Sequence, residues 1–285
     1  MWIFLCVLSA FLFALNHIVS KEFSQRETTT EFLPLLYLFA FVILLPFASY
    51  LQPLGVGLFS KILLFTIFGT LGTFCLFYAY SKTDISSTSP LLNLSPVILF
   101  ITSFFLLGEK ASITDYAGVL LIVVGGYLIS LKHLKDIFHP FTSIPLRYFF
   151  LVLLTLVLWS FSAPIAKMTL QSINVYSFIF YSMLFGAVLW FAIEGVLKRR
   201  DFFIGVKNHW KLAVYGAFFY LGAELTFFLA LSIPEVFVSL AIPIRRTSSL
   251  FIVLAGGHFF HENKIRQKAL ACLVMLAGVF VIALF

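Results

Sequence analysis

FLPLLYLFAFVILLPFASYL, residues 32–51, is a run of twenty residues without a charged side chain. At a rise of about 1.5 Å per residue an α-helix of that length is about 30 Å long, which is the thickness of a bilayer's hydrocarbon. A barrel strand would alternate lipid-facing and lumen-facing residues, whereas this stretch and residues 116–131 are apolar on every face. The same ruler moved along the chain finds ten candidate spans, at 2–20, 32–51, 62–81, 87–108, 116–131, 148–166, 175–197, 212–232, 236–260 and 269–285. The expected fold is an all-α integral membrane protein with ten transmembrane helices.

Composition agrees. Of 285 residues 61% are hydrophobic and 11% charged, and the mean hydropathy is +1.06. A soluble domain carries about 25% Asp, Glu, Lys and Arg to cover its surface, so a water-soluble enzyme and a disordered chain are both excluded. The net charge of +7 sits mostly in short loops, the anchoring pattern of membrane spans, and implies no nucleic-acid partner. Cys6, Cys75 and Cys272 lie singly in apolar runs, which implies neither disulfide nor metal site, and no cofactor is expected. The N-terminus lacks the basic region of a signal peptide and reads as a retained first span. A multi-pass protein of the cell (plasma or inner) membrane follows, with the lipid bilayer and a small-molecule substrate as its partners.

The chain also repeats itself. The first span ends in Asn16, His17 and Lys21, and the sixth in Ser162, Ala163 and Lys167, an offset of 146 between the lysines. Later the offset is 153, for Pro90 and Pro243, Glu109 and Glu262, and Gly125 and Gly278. The division is residues 1–132 for one copy, 133–147 for a connecting loop and 148–285 for the other. Five spans per copy is an odd number, so the second copy enters the membrane inverted. Inverted repeats are the architecture of alternating-access carriers, which bind ligand near midplane between the halves. Two fused repeats suffice as a monomer, and a homodimer is equally compatible.

Tyr78-Ala79-Tyr80-Ser81, Pro96, Leu106-Leu107-Gly108-Glu109-Lys110, Gly118 and Gly125-Gly126 together resemble the EamA repeat of the drug/metabolite transporter superfamily. The second half resembles it more loosely, with Ala230-Leu231-Ser232, Pro243, His261-Glu262-Asn263 and Gly278; His261 replaces the motif glycine and Ser249 stands where Pro96 would recur. The resemblance implies two inverted five-helix EamA repeats, alternating access and no enzymatic activity. It also implies that both termini lie in the cytoplasm. The charge bias points the other way: loops after odd-numbered spans hold 14 of the 17 basic residues outside the spans, which puts the termini outside. The two expectations oppose each other.

Four charged residues fall inside spans: Glu194, Glu224, Arg245 and Arg246. Glu194 is near a span end and is expected to snorkel to the interface. Glu224 and Arg245 each lie about 12–15 Å along a helix from the loop that joins spans eight and nine, close to midplane. An arginine at that depth costs about 2.5–3.5 kcal/mol on insertion scales, so it needs a wet cavity or a partner. One carboxylate cannot neutralise two guanidiniums, and the surplus positive charge suits bidentate contact with phosphate or carboxylate. The segment Pro243-Ile244-Arg245-Arg246-Thr247 is similar to the ninth span of plastidic phosphate translocators, with a Lys-Arg pair there; that resemblance implies an anion clamp at Arg245 and Arg246. Asn93 is the neutral residue at the matching position of the first copy. Glu224 is the counter-ion candidate and, if unpaired, a candidate proton-coupling group.

The weaker candidates each carry an ordinary structural reading as well. Asn16 and His17 could line the site or bond a neighbouring helix. Trp159 and Tyr80 could stack on substrate or simply pack, as could Tyr78, Tyr181 and Tyr220. Lys21 and Lys167 are expected as snorkelling flanks, or as a cavity rim at opposite ends. Gly108, Gly118, Gly125 and Gly126 are expected at close helix crossings, and Glu109 and Glu262 as caps or interfacial anchors. His258, His261 and Glu262 fit no metalloprotease spacing, and neither a P-loop nor a nucleophile elbow is present. A secondary carrier of a small anionic or zwitterionic metabolite is favoured. A flippase for a lipid-linked phosphate and an intramembrane enzyme acting on lipid phosphates are the alternatives.

Overall fold

The computed structural model describes residues 1–24, 29–80, 82–83, 91–131, 138, 144–196, 202–251 and 265–284; for 21–24, 29–31, 80, 129–130, 196, 202–209 and 265–269 only the backbone is described. Within them lie ten α-helices: α1 (Trp2–Ser24), α2 (Thr29–Leu44), α3 (Val56–Tyr80), α4 (Ser95–Leu107), α5 (Ile113–Ser130), α6 (Leu146–Leu170), α7 (Val175–Val196), α8 (Phe202–Leu231), α9 (Val238–Arg246) and α10 (Ile265–Leu284). No element among the described residues is a strand.

Among the described residues six segments are long and apolar enough to cross a membrane: Trp2–Ser20, Phe32–Tyr50, Val56–Ala79, Leu146–Leu170, Val175–Gly195 and Trp210–Leu231. Ser95–Leu107, Ile113–Leu128 and Leu270–Leu284 are apolar but shorter, and α9 has only nine residues. The expected ten full-length spans are therefore not all continuous helices. Spans four and nine are interrupted, and for a local reason. After Leu92 the chain makes a turn at Asn93–Leu94, and α4 starts with Pro96 in its first turn, whose ring nitrogen has no hydrogen to extend an earlier helix. Leu94 N–H donates to Leu91 O (3.0 Å), and Val97 N–H to Leu94 O (3.0 Å). In span nine α9 stops at Arg246, Thr247 forms the turn and the chain is helical again at 248–251. There Thr247 N–H donates to Ile244 O (3.0 Å) and Leu250 N–H to Thr247 O (2.9 Å). Ile244, Thr247 and Leu250 are each 153 residues after their counterparts Leu91, Leu94 and Val97.

The helices pair mainly across the two halves: α1 with α8, α3 with α6, α2 with α7 and α8, α3 with α7, and α5 with α10. Lipid tails are as apolar as leucine, so close packing and inter-helix hydrogen bonds hold such pairs. α5 and α10 cross antiparallel at small residues. A Cβ on Gly118 would lie 2.9 Å from Gly278 O, and one on Gly125 would lie 2.7 Å from Ala271 O. Gly118 and Gly125 thus sit at a close crossing, as expected. Gly108 does not: a Cβ there would touch nothing, and its φ of 68° makes it the left-handed residue that ends α4.

Two further pairs are clasped by side chains. On α1, Ser9 Oγ donates to Ala223 O (2.7 Å) and Asn16 Nδ2 to Gly216 O (2.9 Å), both on α8. On α6, Thr155 Oγ1 donates to Gly72 O (3.0 Å) and Ser162 Oγ to Phe65 O (3.1 Å), both on α3. The donors differ by 146 and the acceptors by 151. The centre is filled by rings, with Phe178 4.8 Å from Phe228 and 5.0 Å from Phe65 between centroids.

Candidate functional site

The break in span nine puts Arg245 and Arg246 at the C-terminal end of a nine-residue helix, and the two guanidiniums part company there. Arg245 turns towards α1 and α8. Its Nη2 is paired with Glu224 Oε1, and its Nη1 lies 3.4 Å from Glu224 Oε2. Its two faces are covered by the Phe13 ring (4.7 Å to the centroid) and the Phe227 ring (4.4 Å). With the side chains of Arg245 and Glu224 only 16% and 9% exposed, this is a two-nitrogen ion pair inside an aromatic slot. Removing one partner of a buried pair costs about 3–5 kcal/mol because a charge is stranded. One turn before Glu224, Tyr220 shares a 3.1 Å hydroxyl contact with Tyr37 of α2.

Arg246 turns the other way, to α6, with its Cζ 5.5 Å from the centre of the Trp159 ring. The indole is seated on α3: Nε1 donates to Gly69 O (3.4 Å), and a Cβ on Gly72 would fall 2.7 Å from that nitrogen. Phe13 and Trp159 are themselves 146 residues apart. Equivalent aromatics, one on each first span, therefore hold the two adjacent arginines.

His17 lies between these groups. It is exposed, although the edge of Phe13 packs on it with centroids 4.6 Å apart and the charges of Arg245 and Arg246 both act on it.

The other sequence candidates separate. Asn16 is 6% exposed and committed to the α1–α8 clasp. Asn93 Nδ2 donates to Gly126 O (3.0 Å), tying the first break to α5, and Gly126 leaves room for that amide. Lys167 is 4% exposed and donates to Leu231 O (2.9 Å), Ile233 O (2.6 Å) and Pro234 O (3.3 Å), which makes it the C-terminal cap of α8. Glu194 does not snorkel; it is buried at 5% exposure. Tyr181 Oη donates to Gln52 O (3.1 Å). The side chains of Tyr80 and Lys21 lie outside the described residues, as do His258, His261 and Glu262.

Sequence reading passed over Phe13, Phe227, Ser9 and Thr155. The 146-residue offset that relates Lys21 to Lys167 also relates Phe13 to Trp159 and Ser9 to Thr155, and would have found three of the four.

A bundle of long apolar helices with interrupted spans and charged groups held at the interruption defines a multi-pass integral membrane protein. The chain belongs to the EamA-like transporter family, whose model matches it twice, over residues 1–131 and 146–284. Members of this family are transporters rather than enzymes, and this protein is a secondary transporter of a small molecule. No protein of curated function matches it. A crystal structure described only as that of a protein is similar over 98% of this chain and 96% of its own, with a TM-score of 0.72 and 14% identity. At that identity the likeness shows the fold alone.

Proposed function

We propose that the protein carries a small anionic or zwitterionic metabolite by alternating access between two inverted five-helix repeats, residues 1–132 and 148–285, joined by 133–147. The antiparallel crossing of α5 with α10 and the matched clasps support the inversion. The observation that carries the site is the pair of matched breaks, at Asn93–Leu94 and at Thr247, with two arginines beside the second. Broken helices at corresponding positions of two halves mark the binding sites of inverted-repeat carriers.

The arginines divide the work. Arg245 is an internal anchor, neutralised by Glu224 and covered by two rings. Arg246 is the charge offered to substrate, with Trp159 as the platform that presents it and His17 as a neighbouring hydrogen-bonding group on the cavity wall. This narrows the clamp expected from the phosphate-translocator resemblance to one guanidinium. A phosphate or carboxylate is the matching ligand group, because a guanidinium can bond it in two places.

The test is thermal unfolding of purified protein against phosphorylated sugars, carboxylates, amino acids and nucleotides, followed by counterflow in proteoliposomes with whichever compound stabilises it. Arg246→Ala should lose the ligand's effect on the unfolding temperature. Full binding and transport by Arg246→Ala would sink the assignment.

A further inference from the structure

The link between α8 and α9, residues 232–237, is pinned from both sides by charged side chains of other helices. At its start Lys167 of α6 takes up three carbonyls. At its end Glu109, from the turn after α4, receives Val238 N–H on Oε1 (2.7 Å) and both Ser239 N–H (3.0 Å) and Ser239 Oγ–H (2.6 Å) on Oε2. α9 has no cap of its own, since Phe237 occupies its N-cap position and makes no side-chain bond. A carboxylate there satisfies free N–H groups and the positive end of the helix together.

The turn that delivers Glu109 is built for it. Gly108 N–H returns to Phe104 O (3.0 Å) and Glu109 N–H to Ser103 O (3.4 Å), with Gly108 left-handed. The carboxylate is buried, at 8% exposure, and the Lys167 ammonium feels its charge.

This contact joins the two halves at the end of the bundle that also holds residues 51–55 and 171–174. That end is bonded by Gln52 N–H to Ser177 Oγ (2.8 Å) and Asn174 N–H to Gln52 Oε1 (2.8 Å). The site break lies at the far end of α9. A solute reaching Arg246 from the Glu109 end would have to part α9 from α4.

We propose that Glu109 is the latch of a gate at this end: its bonds to Val238 and Ser239 hold the end closed and break each time the transporter turns over. The inference rests on the alternating-access reading. Losing charge-assisted bonds to a helix end moves a two-state equilibrium by about tenfold or more. In an alternating carrier the shift is reciprocal, so opening one end closes the other.

The experiment uses the full chain in lipid nanodiscs, with a bulky membrane-impermeant maleimide and two single reporters. One is Val236→Cys, 2% exposed beside the latch, and the other is His17→Cys, an exposed position on α1 that the proposed function places beside the substrate; the parent with its native cysteines gives the background. Glu109→Ala should raise labelling at V236C about tenfold and lower it at H17C, and Ser239→Ala should do both more weakly. Glu109→Gln, which keeps the size and loses the charge, covers the case in which the alanine variant fails to fold. Faster labelling at V236C with no fall at H17C would mean local fraying and would overturn the latch. Unchanged labelling at V236C would overturn it as well. An inert H17C in the parent would remove the cavity reading, and the latch with it, whereas a reactive H17C indifferent to every Glu109 variant would remove the latch alone.

Discussion

The breaks in spans four and nine, just before α4 and just after α9, share their backbone bonds and differ in chemistry. Leu94 and Thr247 make the same two hydrogen bonds, 153 residues apart. Yet the first break presents Asn93, tied by its amide to Gly126, and the second presents Arg246, held over Trp159 and next to the buried Arg245–Glu224 pair. Backbone geometry is shared between the halves, since the same pair of hydrogen bonds shapes each turn. Charge is not; on the proposed reading one cation answers one anionic group of the substrate, and a second would add another desolvation penalty. Architecture thus follows the repeat, while the charged side chains mark the departure from it.

The largest expected effect tests whether Arg245 is an anchor. Arg245→Ala strands Glu224 and should destabilise the protein by about 3–5 kcal/mol, read as a fall in thermal unfolding temperature in detergent. Arg245→Leu with Glu224→Leu removes both charges and should recover most of that loss; a double variant as unstable as the single one would contradict the pairing. Next, Arg246→Ala should weaken substrate binding by about 100-fold, or about 2.7 kcal/mol, with a smaller loss of stability than Arg245→Ala. If Arg245→Ala and Arg246→Ala lost binding and stability alike, the division between the two arginines would collapse.

Smaller effects sharpen the comparison. Glu224→Gln keeps the shape of the anchor; if transport by this variant keeps its full dependence on a proton gradient, Glu224 is a counter-ion and not the coupling group. Asn93→Ala removes one bond to α5 and should cost about 1 kcal/mol while slowing counterflow a few-fold. The smallest effect is expected from the clasps: Asn16→Ala and Ser162→Ala should each cost about 0.6 kcal/mol, and should match because their geometry does. A large disparity in unfolding temperature between these two would break the equivalence of the halves.

Much of this was legible in the sequence, but unevenly. Apolar runs of twenty residues announced the spans, and the offsets of 146 and 153 announced the duplication. The interruption of spans four and nine was hidden, since a hydropathy window averages over a single turn; Pro96 and Pro243 were the nearest signs. Arg245, Arg246 and Glu224 stood out because charge is rare at that depth. Asn16 and Lys167 were read as candidates for the site and turned out to bond backbone carbonyls. A polar side chain in a span needs some partner, and sequence shows the need without showing who answers it.

Length, apolarity and repetition are sums over neighbouring residues, so the chain alone determined that this is a helical membrane protein in two copies. Which groups surround each guanidinium was decided by the fold. The partners are Phe13, Glu224 and Phe227 for one arginine and Trp159 for the other. They come from helices distant in the sequence, and only packing brings them to one place. The latch at Glu109 shows the same limit: the turn that ends in Gly108 is local, but the helix end that it caps lies about 130 residues further on.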